Sequence, residues 1–320
     1  MIKYINNTLN STTPNTVTLK YLVAFAIVAV IYLILKNANA KYTVMPEGFS
    51  QEAPFVLKRD DNIYDEFYVD MYEELKNTKD RGQWELLKIL KMTEPSTKHS
   101  VFLDVGSATG YTVNELQDAG YRAFGVDKSK AMVDYSAKKY PEIEVKCSDV
   151  NDSMLFDRST FTHVLCTNFT IYEMQDKMSF FRNCYYWMMP NGYLIIHLVD
   201  HDKFNAVSPL HKDEIKWMPF FKPEFKQKTD VDADYADYKY KVGYNIPKNV
   251  DESCKVLMTE TFTDKETPNV RQNEQTLYME NITKILEMAA RSGFIVHGKV
   301  NMKDYNDEEN QYLYILERQL

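Results

Sequence analysis

The fold of this chain is decided by residues 101–116, which read VFLDVGSATGYTVNEL. The apolar start predicts a short buried strand that reaches Asp104, and the residues from Tyr111 onward predict a helix. The turn between them has glycine at both ends, Gly106 and Gly110, although only 10 of the 320 residues are glycine. Glycine permits positive φ and a close approach of a ligand to the backbone. This order predicts a ligand site at the carboxyl edge of an open α/β sheet.

Short apolar runs alternate with amphipathic runs along the chain on the carboxyl side of this stretch. The predicted strands after 101–105 cover 122–126, 143–147, 162–166, 193–199, 294–300 and 311–317. The last two form a hairpin-like pair after a predicted helix over 275–292. Alternation of strands and helices predicts βαβ units and a mostly parallel sheet.

The chain divides into segments of different composition. Residues 1–16 are polar and predict a disordered tail. Residues 37–62 contain two prolines and one glycine and are predicted to be a linker, and residues 63–320 form the α/β domain. Within that domain, residues 201–275 break the βα rhythm. Alternation within 235–244 and 255–262 predicts antiparallel strands in an inserted cap region.

The segment 17–36 contains 15 consecutive uncharged residues, YLVAFAIVAVIYLIL. Because a spanning helix needs about 20 apolar residues, this segment predicts a single-pass membrane anchor, with the folded domain on the cytoplasmic side. Two alternatives remain. The segment could be a signal peptide, because Ala38-Asn39-Ala40 resembles a cleavage site. It could also be a buried helix of a soluble protein. Lysines flank the segment evenly, so its orientation is open.

Composition narrows the possible partners. The net charge of −8 argues against nucleic-acid binding, which usually needs a basic surface. The four cysteines are widely spaced and include no CxxC pair, so neither a zinc cluster nor a dithiol redox site is predicted. No metal site is expected.

Polar side chains end four successive predicted strands: Asp104, Asp127, Asp149 and Asn168. Each of them alone could simply cap a helix, but together they predict one site, because the carboxyl ends of parallel strands share an edge. Ala108 stands where a dinucleotide fingerprint needs its middle glycine, and the P-loop lysine is missing. A ligand with an adenosine and no phosphate therefore fits best.

The ordered motifs DVGSATG at 104–110, FGVDKS at 124–129, VKCSDV at 145–150, THVLCTNFTIYEM at 162–174 and LIIHLVD at 194–200 resemble the class I S-adenosylmethionine-dependent methyltransferases. The resemblance covers about residues 60–200 and 275–320. It implies a seven-stranded, mostly parallel Rossmann-like sheet with an antiparallel last strand, and S-adenosylmethionine as cofactor. The chain departs from the pattern at 107–109, which lack a central glycine. The general sequence style also resembles methyltransferase-like proteins of large algal DNA viruses.

The same resemblance implies a set of cofactor-binding residues. They are Tyr64, Asp104, Gly106, Ser107, Gly110, Asp127, Lys128, Asp149, Val150, Asn168 and Phe169. Asp104 is implied to hold the amino group of the cofactor and Asp127 its ribose hydroxyls. Asp149, with Val150, is implied to bind the adenine. Tyr64 belongs to a helix predicted over 63–75, whose tyrosines recur at every fourth position and either pack on the core or line a ligand pocket.

Acceptor-side groups are weakly indicated. Tyr172, Glu173 and His201 follow the ends of predicted strands, and each is a candidate catalytic group or an ordinary loop residue. His197 lies inside a strand and is predicted to be a core histidine. The favoured function is methyl transfer to a small-molecule or lipid acceptor at a membrane. The alternatives are a non-catalytic cofactor-binding protein and a protein methyltransferase. The acceptor and the oligomeric state are open.

Overall fold

The computed structural model describes Phe25, Gln51 and residues 53–200, 202–203, 230–246, 255–305 and 308–320. The chain divides into two units, Met1–Ser50 and Gln51–Leu320. Apart from Phe25, all the described residues belong to the second unit. The predicted tail over 1–16 and His201 lie outside the described residues.

The second unit contains strands in two sheets and helices around them. The described strands are β1 Phe55–Arg59, β2 Val101–Val105, β3 Arg122–Asp127, β4 Glu144–Cys147, β5 Phe161–Cys166, β6 Met188–Val199, β7 Asp230–Asp234, β8 Tyr238–Asn245, β9 Lys255–Asp264, β10 Val270–Tyr278, β11 Phe294–Asn301 and β12 Gln311–Arg318. The described α-helices are α1 Glu66–Leu75, α2 Thr78–Thr93, α3 Tyr111–Asp118, α4 Lys130–Lys139, α5 Thr170–Glu173, α6 Lys177–Trp187 and α7 Ile282–Arg291. Short 3₁₀ helices cover Asp60–Ile63 and Met302–Asp304.

The larger sheet has seven strands in the order β11-β12-β6-β5-β2-β3-β4. Strand β2 lies inside the sheet, pairs in parallel with β3 and β5, and is buried along its whole length. Strand β12 runs antiparallel to both of its neighbours, β6 and β11. The predicted Rossmann-like sheet with an antiparallel last strand is therefore confirmed. Its parallel strands direct their carboxyl ends to one edge.

The smaller sheet has five strands in the order β1-β10-β9-β8-β7. It contains the predicted antiparallel strands, but it also includes Gln275–Tyr278, where the sequence predicted a helix; helix α7 begins at Ile282. The inward positions of β10 are Arg271, Asn273 and Gln275, each at most 5% exposed. Because polar residues occupy the buried face, the alternation typical of a strand was hidden. Strand β1, which pairs with β10, arises from the predicted linker over 37–62.

Helix α1 packs on the smaller sheet. Asp65 caps the helix by accepting a hydrogen bond from the Tyr68 amide at 3.2 Å. The Phe67 ring meets Phe262 of β9 edge to face at 5.6 Å, and the buried Tyr68 hydroxyl donates to Glu260 Oε1 at 3.0 Å. Tyr240 donates to the same oxygen at 2.7 Å. The predicted aromatic helix is thus fixed by a buried polar contact as well as by apolar packing.

The prediction of a membrane anchor over 17–36 needs correction. A spanning helix needs about 20 apolar residues, and the longest described helix, α2, has 16 residues and includes buried charges. No helix in the described part of the chain is long and apolar enough to cross a membrane. On this finding the predicted transmembrane helix and the predicted membrane location were wrong. Of the segment itself, only Phe25 lies among the described residues.

A buried histidine in β5 predicts acid sensitivity of the fold. Burial lowers the pKa of His163 from 6.5 to about 4, and its ring stacks on Phe102 at 4.4 Å. The unfolded chain binds a proton near pH 6.5 and the folded chain does not, so stability falls as the pH drops below 6.5. Relative to His163→Phe, the wild type should lose about 2 kcal/mol between pH 7.5 and pH 5. Urea denaturation at both pH values measures this.

The matched control for that measurement is His99→Gln, because His99 is exposed. Its unfolding free energy should follow that of the wild type at both pH values. An equal response of the wild type and His163→Phe to pH would contradict the expectation.

Candidate functional site

A cavity of about 440 Å³ lies at the carboxyl edge of the larger sheet, a volume in the usual range for small-ligand sites. It brings together predicted cofactor-binding residues that are distant in the sequence. Those that line it are Tyr64, Gly106, Asp127, Lys128, Asp149, Val150 and Asn168. Glu173, a predicted acceptor-side group, lines the same cavity. Strand β10 of the smaller sheet contributes Gln275, Thr276 and Tyr278.

The glycine turn has the backbone that its composition predicted. Gly106 and Gly110 adopt φ of +68° and +79°, and Ala108 adopts +46°. A Cβ on Gly106 would lie 2.6 Å from Thr170 Cγ2, and one on Gly110 would lie 2.6 Å from Ile143 Cδ1. Gly106 faces the cavity, whereas Gly110 is required by packing and does not line it. The two glycines therefore serve different purposes.

Asp127 ties the turn to the end of β3. Its Oδ2 accepts a hydrogen bond from the Ala108 amide at 2.9 Å, and its Oδ1 accepts one from the Ser129 amide at 2.8 Å. Burial raises the pKa of Asp127 to about 6, although these two amides oppose the rise. Each carboxylate oxygen has a further lone pair. Asp127 can therefore accept hydrogen bonds from a ligand while it holds the turn.

Asp104 does not line the large cavity. It lies in a second cavity of about 50 Å³, which shares Tyr72, Gly106, Ala108 and Asn168 with the first. Burial, followed by repulsion from Glu85 and Asp127, raises the pKa of Asp104 from 3.8 to about 8. A carboxyl group in this state favours a cationic partner, whose charge would restore the ionised form.

Two buried hydroxyls belong to residues that line the small cavity. Ser107 and Thr109 are 6% and 1% exposed, and within the described residues neither Ser107 Oγ nor Thr109 Oγ1 has a hydrogen-bond partner. Buried polar groups are nearly always paired in native proteins. The two hydroxyls therefore indicate that a polar group or ordered water occupies this cavity in solution. Ser107 was among the predicted residues, whereas Thr109 was not.

A buried ion-pair cluster closes the far side of the small cavity. Arg81 Nε lies 2.9 Å from Glu85 Oε1, and Arg81 Nη1 lies 2.8 Å from Glu308 Oε1. Sequence reasoning missed these residues. The signal was present in α2, because Arg81 and Glu85 share a helix face with the buried Leu86 and Ile89. Charged residues on an apolar face mark a polar contact inside the fold.

Glu173 ends a chain of hydrogen bonds that links the two sheets. The Tyr64 hydroxyl donates to Glu173 Oε1 at 2.7 Å, and Gln275 Nε2 donates to the Tyr64 oxygen at 2.9 Å. Lys128 Nζ lies 3.7 Å from Glu173 Oε2 and 2.5 Å from Asp61 Oδ1. A carboxylate is thus held in place at the wall of the cavity. Gln275 was not predicted, because its segment was interpreted as a helix.

Two predicted residues near Glu173 lie elsewhere. Tyr172 is fully buried, and its oxygen accepts a hydrogen bond from the Val199 amide at 2.8 Å. Burial raises its pKa above the usual value of 10.0, so Tyr172 supports the fold and does not line the cavity. Phe169 contacts His197, whose Nδ1 accepts from the Phe169 amide at 3.3 Å. The second His197 nitrogen lies 3.0 Å from Gln311 Oε1, which leaves this core histidine no nitrogen for a metal.

Asp149 and Val150 form the other end of the large cavity. Asp149 is exposed, and its Oδ1 accepts from the Asn151 amide at 2.8 Å, while Val150 is 8% exposed. An exposed carboxylate beside a buried apolar residue suits the polar edge and the flat face of an aromatic base. These two residues sit directly after β4, as the motif at 145–150 indicated.

The larger sheet and the cavity at its edge have the architecture of the class I methyltransferases. Residues 103–196 match a family model described as a methyltransferase domain. A comparison with curated proteins found no match. The match and the fold support a class I S-adenosylmethionine-dependent methyltransferase, and the prediction of S-adenosylmethionine as cofactor is confirmed.

Solved structures share this fold. An S-adenosylmethionine-dependent methyltransferase from Clostridium acetobutylicum ATCC 824 is 13% identical with a TM-score of 0.58, over 79% of this chain and 98% of that chain. The CcbJ methyltransferase from Streptomyces caelestis is 11% identical with a TM-score of 0.63, and the match covers 82% of this chain and 100% of that chain. At these identities the likeness concerns the fold.

Proposed function

We propose that this chain transfers the methyl group of S-adenosylmethionine to a polar small-molecule acceptor. The observation that carries the proposal is the pair of adjoining cavities at the carboxyl edge of the larger sheet. The large one collects Gly106, Asp127 and Asp149, and the small one contains Asp104. Their polar groups suit an extended ligand with an adenosine at one end and an amino acid at the other.

The residues of the large cavity fit the nucleoside half of the cofactor. Asp127 presents a carboxylate with free lone pairs, which suits the two ribose hydroxyls. Val150 offers an apolar surface to the adenine, and Asp149 an acceptor to its amino group. Gly106 has no side chain, so a ligand can approach its backbone closely. A larger residue is excluded there, because its Cβ would collide with Thr170.

The residues of the small cavity fit the amino-acid half. Asp104 suits the ammonium group, and the unpartnered hydroxyls of Ser107 and Thr109 are donors for the carboxylate. Both halves of the ligand are thus matched by groups that the protein leaves available. This arrangement assigns Asp104 the role that the family resemblance implied, although it lies in a separate cavity.

Little further chemistry is required of the protein. When bound, the cofactor supplies a methyl group that its sulfonium already activates, so positioning accounts for most of the rate. A protonated acceptor must also lose a proton. Glu173 is the group for that task, because its carboxylate lies in the wall of the cavity and Tyr64 holds it in one orientation.

The lining of the cavity favours a polar small molecule over a lipid. The residues on the side of Glu173 are Asp60, Asp61, Gln175, Gln275 and Thr276. These side chains offer hydrogen bonds, whereas a lipid chain needs continuous apolar surface. Strand β10 and the Asp60–Ile63 helix form this wall, which suits an acceptor that enters the cavity whole.

Calorimetry with S-adenosylmethionine, followed by transfer of a radiolabelled methyl group to metabolite extracts, tests the proposal. We expect saturable binding and label in small polar products. Binding without any transfer would identify a non-catalytic cofactor-binding protein. Label in polypeptide or in the organic phase would replace the small polar acceptor with a protein or a lipid, respectively.

Cofactor affinity should depend on pH through Asp104. Its pKa of about 8 in the free protein means that the carboxyl is protonated at pH 6, and an ammonium partner favours the ionised form. Binding therefore releases a proton and tightens as the pH rises, by roughly tenfold from pH 6 to pH 7.5. Calorimetry in buffers of different ionisation enthalpy counts the released proton.

The matched variant for this measurement is Asp104→Asn, which keeps the shape of the side chain and cannot titrate. It should bind the cofactor more weakly at pH 7.5 and lose most of the pH dependence over this range, keeping only the smaller part that comes from Asp127, whose pKa is about 6. A wild-type affinity that is the same at pH 6 and pH 7.5 would remove Asp104 from the ammonium site.

A further inference from the structure

Tyr72 stands at the boundary between the two cavities. It is one of the residues that line both, together with Asn168 of the loop after β5. Asn168 Nδ2 donates a hydrogen bond to the Tyr72 oxygen at 3.4 Å. A ligand that occupies both cavities must pass this pair of side chains.

The backbone after β5 fixes the position of Asn168. Asn168 and Phe169 adopt consecutive positive φ values of +49° and +69°. Positive φ is uncommon outside glycine, although asparagine tolerates it best. Such a turn is kept only where the surrounding structure holds it, and here the Phe169 amide is bonded to His197. The donor that meets Tyr72 is therefore held by the fold.

The Tyr72 hydroxyl lies among the carboxylates of both cavities. Burial raises its pKa most, and the negative charges of Glu173, Asp127 and Asp104 raise it further, against the hydrogen bond from Asn168. These carboxylates mark the acceptor side, the ribose position and the amino-acid position of the proposed site. The hydroxyl therefore stands where the two cavities meet, within the electrostatic influence of all three carboxylates.

Within the cofactor, one atom adjoins the parts that the acceptor side, the ribose position and the amino-acid position would hold. Its sulfur is bonded to the nucleoside, to the amino-acid chain and to the transferred methyl group, and it carries the positive charge. We propose that the Tyr72 oxygen, held by Asn168, is the group that contacts this sulfonium. The inference rests on the proposed function, because it assumes the cofactor lies across both cavities.

Such a contact discriminates between the substrate and the product of the reaction. A phenolic oxygen attracts a sulfonium through its partial negative charge, in a buried place where charges are weakly screened. The product, S-adenosylhomocysteine, has a neutral sulfur, to which the oxygen offers no such attraction. Tyr72 should therefore favour the methyl donor over the demethylated product, which helps product release.

The test is the ratio of two affinities in Tyr72→Phe, measured by calorimetry. Loss of the hydroxyl should weaken S-adenosylmethionine binding about fivefold to tenfold and leave S-adenosylhomocysteine binding within about twofold. Tyr68→Phe is the matched control, because Tyr68 lies on the same helix but its hydroxyl bonds to Glu260 and lines neither cavity. Its affinity ratio should equal that of the wild type.

A second variant keeps the inference testable if Tyr72→Phe folds poorly. Asn168→Ala leaves the tyrosine in place without its partner and should shift the ratio in the same direction. If both affinities fell equally, or if neither changed, Tyr72 would only line the cavity and the inference would be overturned. Failure of the wild type to bind either ligand would instead remove the proposed function.

Discussion

Replacement of Asp127 by alanine should weaken S-adenosylmethionine binding by a factor of about 100 or more. The carboxylate is proposed to accept two ribose hydroxyls, and hydrogen bonds to a charged group contribute about 1.5–3 kcal/mol each, where 1.4 kcal/mol is about a factor of ten in affinity. The variant also loses the bonds from the Ala108 and Ser129 amides, so the glycine turn is less well positioned. Calorimetry measures the effect.

Asp134→Ala is the control for this experiment, since Asp134 is exposed on α4 and pairs with the exposed Lys130, away from the cavity. Its affinity should match that of the wild type. Asp127→Asn separates the two roles of the carboxylate, because the amide keeps one acceptor oxygen. We expect the affinity of Asp127→Asn for S-adenosylmethionine to lie between those of the wild type and Asp127→Ala. An Asp127→Ala affinity within threefold of the wild type would exclude Asp127 from the ribose site.

Replacement of Glu173 by glutamine should lower kcat by roughly 100-fold with the acceptor identified in the transfer screen. A positioned general base contributes about 10²–10⁴ in rate, and glutamine keeps the shape of the side chain without accepting a proton. Cofactor affinity should stay within about threefold, because Glu173 lies on the acceptor side of the cavity. Single-turnover transfer of labelled methyl groups separates the chemical step from binding.

Two further variants test whether Glu173 acts as a base or only through its negative charge. Asp61→Asn removes a neighbouring charge that pairs with the same Lys128 and should change kcat far less. Tyr64→Phe removes the hydrogen bond that orients Glu173. Its kcat should lie between those of Glu173→Gln and Asp61→Asn. If Glu173→Gln kept the kcat of the wild type, the acceptor would reach the site already deprotonated and Glu173 would have no proton to accept.

The centre of the larger sheet was predictable because its determinants are local. Strand β2, the turn at Gly106 and helix α3 follow one another without interruption, so apolar burial, glycine and helical periodicity all appear within 16 residues of sequence. The groups at the ends of β3, β4 and β5 were found by the same reasoning. Parallel strands in one sheet must share an edge, which placed Asp127, Asp149 and Asn168 together.

The smaller sheet was only partly predictable. Its antiparallel strands showed alternation, but β10 buries Arg271, Asn273 and Gln275, residue types that normally indicate solvent exposure. Their burial is possible because they meet polar partners: Arg271 and Gln275 bond to Asp65 and Tyr64, more than 200 positions away, and Asn273 bonds to Glu260 of the neighbouring strand β9. No local pattern reports such partners, so the helix predicted over 275–292 began too early.

Sequence patterns alone were sufficient for the class of fold and for the polar residues that end the strands at the site, because strands, turns and helices leave local patterns, and the resemblance of the ordered motifs implied the cofactor. Only the folded chain shows that Asp104 occupies a cavity of its own, that Tyr64 and Gln275 orient Glu173, and that Tyr72 separates the cavities. Those contacts join residues more than 90 positions apart or depend on which side of a turn a side chain faces. They arise from contacts between elements that are far apart in the chain, which no short-range pattern encodes.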